Sequence, residues 1–485
     1  MNSASDQVRW SSTLNQGVNI KSLITGRMEA PLSLTRGLSQ IIQGIRGHLL
    51  FERLSIKLPS LPTMSLPVLK ASGELVRDFN VRSDVNSLDH KDHVKFKKSA
   101  SQSWRWDKAQ IQFAPYSLEP ITLKGKVALT LSDVPAQASL INPAQSRRSS
   151  IPRALRRLDL SFDLDPIKCQ RIYNLTPKTL LGPITEAQLE GKIASKLRLT
   201  YRYPHDLKPN KDPVDISLKG FRRRCRFAQL KLNLPELSVK RAGRRVRVRD
   251  VTWLKDPFTY VIDPKWTKGE KIYVGPETQS FVSLSKLPSY VGGAMYLTEE
   301  TGFWGGGAVS VPLLKRAINT NLKKESFVYG GSTITQQLVK NLFLHREKTL
   351  TRKFREVMIS AGIVDNLSKR RVLELYLNVI EFGPKIFGIQ RASRYYFQKN
   401  AKELTPEEAI FLAMLKVSPH RGPKWVRRGS SPTFTWWKNR SVQIFERLVS
   451  EGLISAQRAQ GAAPFILRWS QGRYLGFQPL KAKDK

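Results

Sequence analysis

The feature that most constrains this chain is a change of hydrophobic period part-way along it. Up to about residue 250, apolar residues alternate with polar ones, as in LDLSFDL from Leu158 to Leu164 and RVRVRDV from Arg245 to Val251. A period of two sends successive side chains to opposite faces of an extended strand, one buried and one wet. After about residue 275 the spacing lengthens to three and four, in TLTRKFREVMISAGIV, LSKRRVLELYLNVI and TPEEAIFLAMLKV. That is the spacing of helices with an apolar stripe. The last segment also carries a start signal: Thr405 as cap, Pro406 in the first turn, then Glu407 and Glu408. The expected fold class is therefore α+β and multidomain, with a β-rich N-terminal module followed by a mainly α-helical domain. The expected boundaries are a β-rich module over 1–255, a linker over 256–275, a helical domain over 276–430 and a helical extension with a tail over 431–485.

Within the β-rich part an apolar-x-glycine motif recurs at Leu123, Leu189 and Leu218, each time beside an alternating segment. The recurrence does not fix a topology. These loosely repeated strands resemble the elongated β-scaffolds of Gram-negative envelope proteins. QSRRSSIPRALRR, from Gln145 to Arg157, is polar, basic and broken by Pro152, so a surface loop is expected there.

Charge narrows the partners. Lys and Arg number 81 against 39 Asp and Glu, a formal net charge of +42, and such self-repulsion points to anionic surroundings: nucleic acid, anionic lipid or a diphosphate substrate. Eleven basic residues lie between Arg222 and Arg249 with only Glu236 against them, either a solvated strand face or an electrostatic contact surface. Basic residues populate both halves, and no zinc knuckle, paired RNA-binding aromatics or helix-turn-helix signal accompanies them, so nucleic acid is not the expected partner. Cys169 and Cys225 are too few for a disulfide framework and say little about compartment. No apolar run approaches the length of a membrane span, and MNSASDQVRW lacks the basic start and apolar core of an export signal.

Chemistry has few candidate carriers. The helical part holds no Ser-x-x-Lys, Gly-x-Ser-x-Gly or His-Glu-x-x-His. The close pair His90 and His93 sits in a charged segment that suits a solvated turn better than a metal site. Carboxylates remain. Glu299 and Glu300 follow the apolar YVGGAMYL and precede the glycine-rich GFWGGG; a solvated helix end is the plain alternative. Glu356 has Arg352 and Lys353 one turn before it on the same helix face, which an ordinary surface ion pair would also explain. Between them GGSTITQQLVKNLF, Gly330 to Phe343, carries more uncharged hydrogen-bonding groups than helix capping needs, and that surplus suits a polar ligand.

In order and spacing these segments resemble glycosyltransferase family 51, the peptidoglycan glycosyltransferases that polymerise lipid II. The family's first motif, Glu-Asp followed by Phe, His and Gly, is matched by Glu299, Glu300 and Phe303; its second by GGSTITQQ with Lys340 and Asn341; its third by Arg352, Lys353 and Glu356. LELYLNVIEFG supplies the fourth, and Ala392, Tyr396, Phe397, Glu408 and Ala409 follow in family order up to Pro419. The version is most similar to the monofunctional biosynthetic transglycosylases, and the remainder after Pro419 leaves no room for a penicillin-binding domain. Three positions depart from the pattern: Glu300 stands for aspartate, Gly306 for the histidine and Ala308 for the following glycine. The run Gly305 to Gly307 is expected to loosen the loop after the base.

The resemblance implies a lysozyme-like catalytic domain and an inverting transfer between lipid II units that releases undecaprenyl diphosphate. It implies Glu299 as general base, while Glu356, beside basic side chains that keep it ionised, suits organising those cations or a divalent metal around the diphosphate. It places substrate contacts on Ser332, Thr333, Gln336, Lys340, Asn341, Lys348, Arg352 and Lys353, with Lys340, Lys348 and Arg352 neutralising the diphosphate. A divalent cation, Mg or Mn, is the one candidate cofactor. The implied partners are lipid II, the growing glycan strand, an anionic membrane surface and other cell-wall synthesis proteins, at the periplasmic face of the inner membrane. The competing expectation is a catalytically weak or noncatalytic envelope scaffold that binds lipid-linked glycan.

Overall fold

The computed structural model describes strand segments between residues 7 and 132, then residues 155–480 apart from 177, 204–206, 208–210, 220–224, 242–243, 263–269, 325–329, 345–348 and 417. The pair His90 and His93, most of the loop from Gln145, Arg222 to Arg224 and Lys348 lie outside the described residues.

A β-rich N-terminal module precedes a mainly α-helical domain, as the change of period predicts. The module's strands are β1 (Gln7–Thr13), β2 (Asn19–Thr25), β3 (Gly47–Phe51), β4 (Ser55–Ile56), β5 (Met64–Ser65), β6 (Leu69–Ser72), β7 (Glu74–Asp84), β8 (Lys97–Phe113) and β9 (Ile121–Ser132). They continue into β10 (Leu155–Lys168), β11 (Ile184–Arg202), β12 (Val214–Lys219), β13 (Cys225–Arg241), β14 (Arg244–Asp250), β15 (Phe258–Val261) and β16 (Lys271–Val274). Fourteen of these form one sheet, in the order β16-β15-β13-β11-β10-β9-β8-β7-β3-β1-β2, with β12 on β11, β14 on β13 and β6 on β8. The long strands pair antiparallel, and Leu160 of β10 lies opposite Leu199 of β11. Between β10 and β11 run two short helices, α1 (Cys169–Leu175) and α2 (Lys178–Leu181). Cys169 is joined by a disulfide to Cys225 at the start of β13, a pairing across 56 residues that local spacing does not signal.

Residues 256–275, expected as a linker, instead contribute β15 and β16, with Phe258, Tyr260, Ile272 and Val274 buried. The physical reason is tertiary. Each strand is four residues long and offers little periodicity of its own, but β13 supplies a ladder for β15, and β15 supplies one for β16.

The helical domain comprises α3 (Ser289–Glu299), α4 (Val311–Lys323), α5 (Ile334–Phe343), α6 (Leu350–Asn366), α7 (Lys369–Val379), α8 (Ile389–Phe397), α9 (Pro406–Leu415), α10 (Gly422–Arg428), α11 (Thr435–Ser450) and α12 (Ala456–Ala459). Thr333, Thr349, Ser368 and Thr405 cap α5, α6, α7 and α9 through their hydroxyls, and Thr405 with Glu408 forms the reciprocal capping box. Helix α9 is apolar on every face beyond Glu407 and Glu408 in its first turn, and all ten of its residues are buried. The C-terminal region, expected as helical, also holds a hairpin of β19 (Phe465–Ser470) and β20 (Arg473–Pro479), after the small pair β17 (Glu381–Gly383) and β18 (Ile386–Phe387). Its turn places Gln471 and Gly472 at positive φ, and Trp469 donates from Nε1 to the Tyr396 carbonyl at 2.8 Å. Among the described residues no helix is long and apolar enough to cross a membrane.

One apolar core runs from the end of the sheet into the helices. Leu230, Leu237, Phe258 and Tyr260 share it with Ile359, Ile363, Val372 and Tyr376. Polar clamps fix the docking: Phe227 N donates to Asp365 at 2.8 Å, Asn366 donates back to the Phe227 carbonyl at 3.0 Å, and Asn319 bonds both backbone groups of Val214. At Gly362 an added Cβ would lie 2.3 Å from Leu230 Cδ2, so glycine sets how closely α6 approaches β13.

Candidate active site

Helix α3 ends at Glu299. Its last carbonyls form the negative pole of the helix, an unfavourable place for a carboxylate unless cations gather there. Three do. Lys416 Nζ donates to the Met295 carbonyl at 3.0 Å, Arg447 to that of Leu297 at 3.1 Å and Arg440 to that of Thr298 at 3.0 Å. Glu299 is 19% exposed; its Oε2 accepts from Gln337 Nε2 at 2.6 Å and its Oε1 lies 3.5 Å from Lys416 Nζ. The Gln337 amide is oriented in turn, because its Oε1 accepts from the buried Tyr376 hydroxyl at 3.0 Å.

Glu300 turns inward. Its Oε2 accepts from Ile334 N at 2.8 Å, at the positive end of α5, while Oε1 is buried with no hydrogen-bond partner. Burial pushes its pKa up, and burial pushes that of the neighbouring Lys369 down; the Lys369 ammonium sits 4.7 Å from the centre of the Phe303 ring. A Cβ at Gly306 would lie 2.8 Å from Glu300 Oε1. Two of the three departures in the first motif are therefore in contact: the longer acid occupies space that a side chain at 306 would need.

The glycine-rich loop is held as well. Phe303 is buried against Tyr296, and the Ala308 carbonyl accepts from both Thr333 Oγ1, at 3.2 Å, and Gln336 Nε2, at 2.8 Å. Much of the hydrogen-bonding surplus in GGSTITQQ is thus spent inside the protein, with Thr333 and Gln336 buried. Ser332 is half-buried and accepts from Lys353 Nζ at 2.8 Å.

Glu356, on α6, is 2% exposed and accepts from Arg352 on one oxygen and Lys353 on the other. Lys353 also donates to Gln336 Oε1 at 2.8 Å. The two glutamates are consequently tied to consecutive residues of one helix, Glu299 to Gln337 and Glu356 through Lys353 to Gln336. Lys340 and Asn341 lie half-buried on the same helix, Asn341 donating to the Gln337 carbonyl at 3.0 Å. Glu374 and Asn378 of the fourth motif anchor the approach to α3, accepting from Leu284 N and Val282 N at 2.9 Å each.

Sequence reasoning counted Gln337 only within the polar surplus of GGSTITQQ, gave Tyr376 no role and missed Lys416. The first two stand in quoted motifs, whereas a lysine closing an apolar helix gives no sign of pointing inward. No group of three or more His, Cys, Asp or Glu able to hold a metal ion occurs among the described residues.

The transglycosylase family model matches residues 268–440, which take in the site from Glu299 through Glu356 to Lys416. The chain is 42% identical over 139 residues to the biosynthetic peptidoglycan transglycosylase of Nitrosomonas europaea, covering 29% of this chain and 57% of that protein. It is 39% identical over 153 residues to that of Thiobacillus denitrificans, covering 30% and 66%, and 34% identical over 193 residues to penicillin-binding protein 1A of Aquifex aeolicus, covering 39% and 25%. Each match spans less than two thirds of the relative. Residues 268–440 are thereby identified, at the level of the family, as glycosyltransferase family 51-type and transglycosylase-like.

Proposed function

We propose that this chain polymerises lipid II into glycan strands, with Glu299 as general base and release of undecaprenyl diphosphate. The observation that carries the reading is the unequal setting of the two glutamates. Glu299 is the more open, held by one amide and one cation, so it keeps lone pairs for an incoming hydroxyl proton. Glu356 has both oxygens committed to Arg352 and Lys353 and is suited to holding cations in place.

In the proposed step Glu299 removes the proton from the acceptor 4-hydroxyl as that oxygen bonds to the donor's anomeric carbon. The bond from that carbon to the diphosphate breaks on the opposite face, with inversion. Arg352, Lys353, Lys340 and Lys348 take up the negative charge on the departing diphosphate. Ser332, Thr333, Gln336 and Asn341 shape the sugar side of the cleft, Thr333 and Gln336 by holding its backbone. No step is routed through a metal.

Lipid II presented at the periplasmic face of an inner membrane is the substrate source, and the basic surface meets anionic lipid there. The Cys169–Cys225 disulfide supports that placement, since such bonds persist in oxidising compartments. The large sheet is the part that would engage other cell-wall synthesis proteins. The test is incubation of the purified chain with lipid II while following both polymer and released diphosphate. Polymer with equivalent release supports the reading, whereas retention of lipid II with no release makes the chain a binding scaffold.

A further inference from the structure

Lys416 directly follows α9, whose residues are otherwise wholly buried and mostly apolar. Its side chain is 1% exposed. Placing an ammonium there is costly unless something nearby requires the charge, and a leucine or methionine would fill the space more cheaply. Its surroundings identify what requires it. Lys416 donates to the Met295 carbonyl, lies 3.5 Å from Glu299 Oε1 and sits 5.6 Å from the centre of the Tyr376 ring.

The side chains facing it come from three elements, Glu299 on α3, Tyr376 on α7 and Arg440 on α11, with Gln337 on α5 bonded to the first two. Burial pushes the Tyr376 phenol up, so it is neutral, and Gln337 is uncharged, while Arg440 opposes the ammonium. Glu299 is the one anion among them. Burial lowers the Lys416 pKa from 10.5 to about 8, with Glu299 resisting the fall.

Building on the polymerase reading, we propose that Lys416 is a positioning residue for the Glu299 base, holding Oε1 while Gln337 holds Oε2 and keeping the carboxylate ionised for the incoming hydroxyl. The pair of contacts leaves one lone pair on each oxygen, and it fixes the carboxylate plane from both ends. Once Lys416 loses its proton the clamp is neutral, and Glu299 is left at the negative pole of α3 without its counter-ion. Activity therefore falls on the alkaline side as pH passes about 8.

Two variants test this. Lys416→Gln can keep a hydrogen bond to Met295 but carries no charge, and Lys416→Met keeps the volume. Lipid II turnover by Lys416→Gln should show kcat lower by about tenfold or more with KM little changed, and the alkaline limb of the pH profile should disappear. Independently of turnover, the carbon-13 carboxyl signal of Glu299, assigned through Glu299→Gln, should move in Lys416→Met relative to wild type, because the ammonium beside Oε1 is gone. An unmoved signal together with a wild-type pH profile in Lys416→Gln overturns the proposal. A moved signal in a protein that never turns lipid II over upholds the contact and sinks the polymerase reading instead.

Discussion

Replacing Glu356 by glutamine tests whether the buried ion cluster on α6 holds the fold around the site. The substitution keeps shape and removes one negative charge. Glu356 is 2% exposed and bonds both Arg352 and Lys353, whose side chains are 18% and 37% exposed. Removing one partner of a buried pair costs about 3–5 kcal/mol because the remaining charge is left without compensation. Both cations here can regain some water, and the glutamine oxygen still accepts one hydrogen bond, recovering about 1 kcal/mol. The expected loss is therefore about 2–3 kcal/mol, a fall of roughly 5–10 °C in Tm for a cooperative unit of this size. Urea unfolding at neutral pH measures it, with an unchanged m-value confirming that stability alone has moved. A loss under about 0.5 kcal/mol would mean that the cluster behaves as a solvated surface pair and that the reasoning is wrong.

Gly362→Ala should destabilise by about 1–3 kcal/mol, because the new methyl meets Leu230 at 2.3 Å; a gain in stability in the same unfolding assay would show that α6 and β13 can part without cost. Gly306→Ala should destabilise alone and much less in combination with Glu300→Asp, with a coupling of about 1 kcal/mol or more in a double-mutant cycle; additive effects would separate the two positions. Lys416 has a folded pKa, about 8, below its unfolded value of 10.5, so the unfolded chain binds more protons between those limits. The cost of burying its charge, about 3 kcal/mol, is fully present below pH 8 and relieved as pH rises towards 10.5. Lys416→Met should accordingly be more stable than wild type at pH 7, by an amount that shrinks through that window; a difference independent of pH would contradict the buried ammonium.

The two-part architecture was legible because period-two alternation in LDLSFDL and three-four spacing in the helices each follow from which face is buried. The start of α9 was legible because Thr405, Pro406 and Glu408 satisfy local backbone groups. Other features depend on contacts between distant segments. Strands β15 and β16 exist because β13 lies beside them, and Cys169 meets Cys225 only once β11 and β13 pair. The C-terminal hairpin did leave a trace, the alternation of FILRWS and RYLGFQP around Gln471 and Gly472, which the expectation of helix overlooked. In the site, the types and order of Glu299, GGSTITQQ and Glu356 marked segments that the structure joins through Gln337, Gln336 and Lys353. The sequence could not tell which hydroxyls and amides face inward, because Thr333 and Gln336 spend their hydrogen bonds on the loop at Ala308. Lys416 stayed hidden, since a lysine after an apolar helix is the usual pattern of a solvated C-terminus.

The most direct measurement is the rate of undecaprenyl diphosphate release from lipid II by wild type and by Glu299→Gln, with fold confirmed by circular dichroism and substrate affinity determined for both. A general base acting on the acceptor hydroxyl predicts release by wild type and a fall of at least about a hundredfold in the variant, at similar affinity. Release by Glu299→Gln at the wild-type rate would contradict the role assigned to Glu299, and with it the mechanism built on this site.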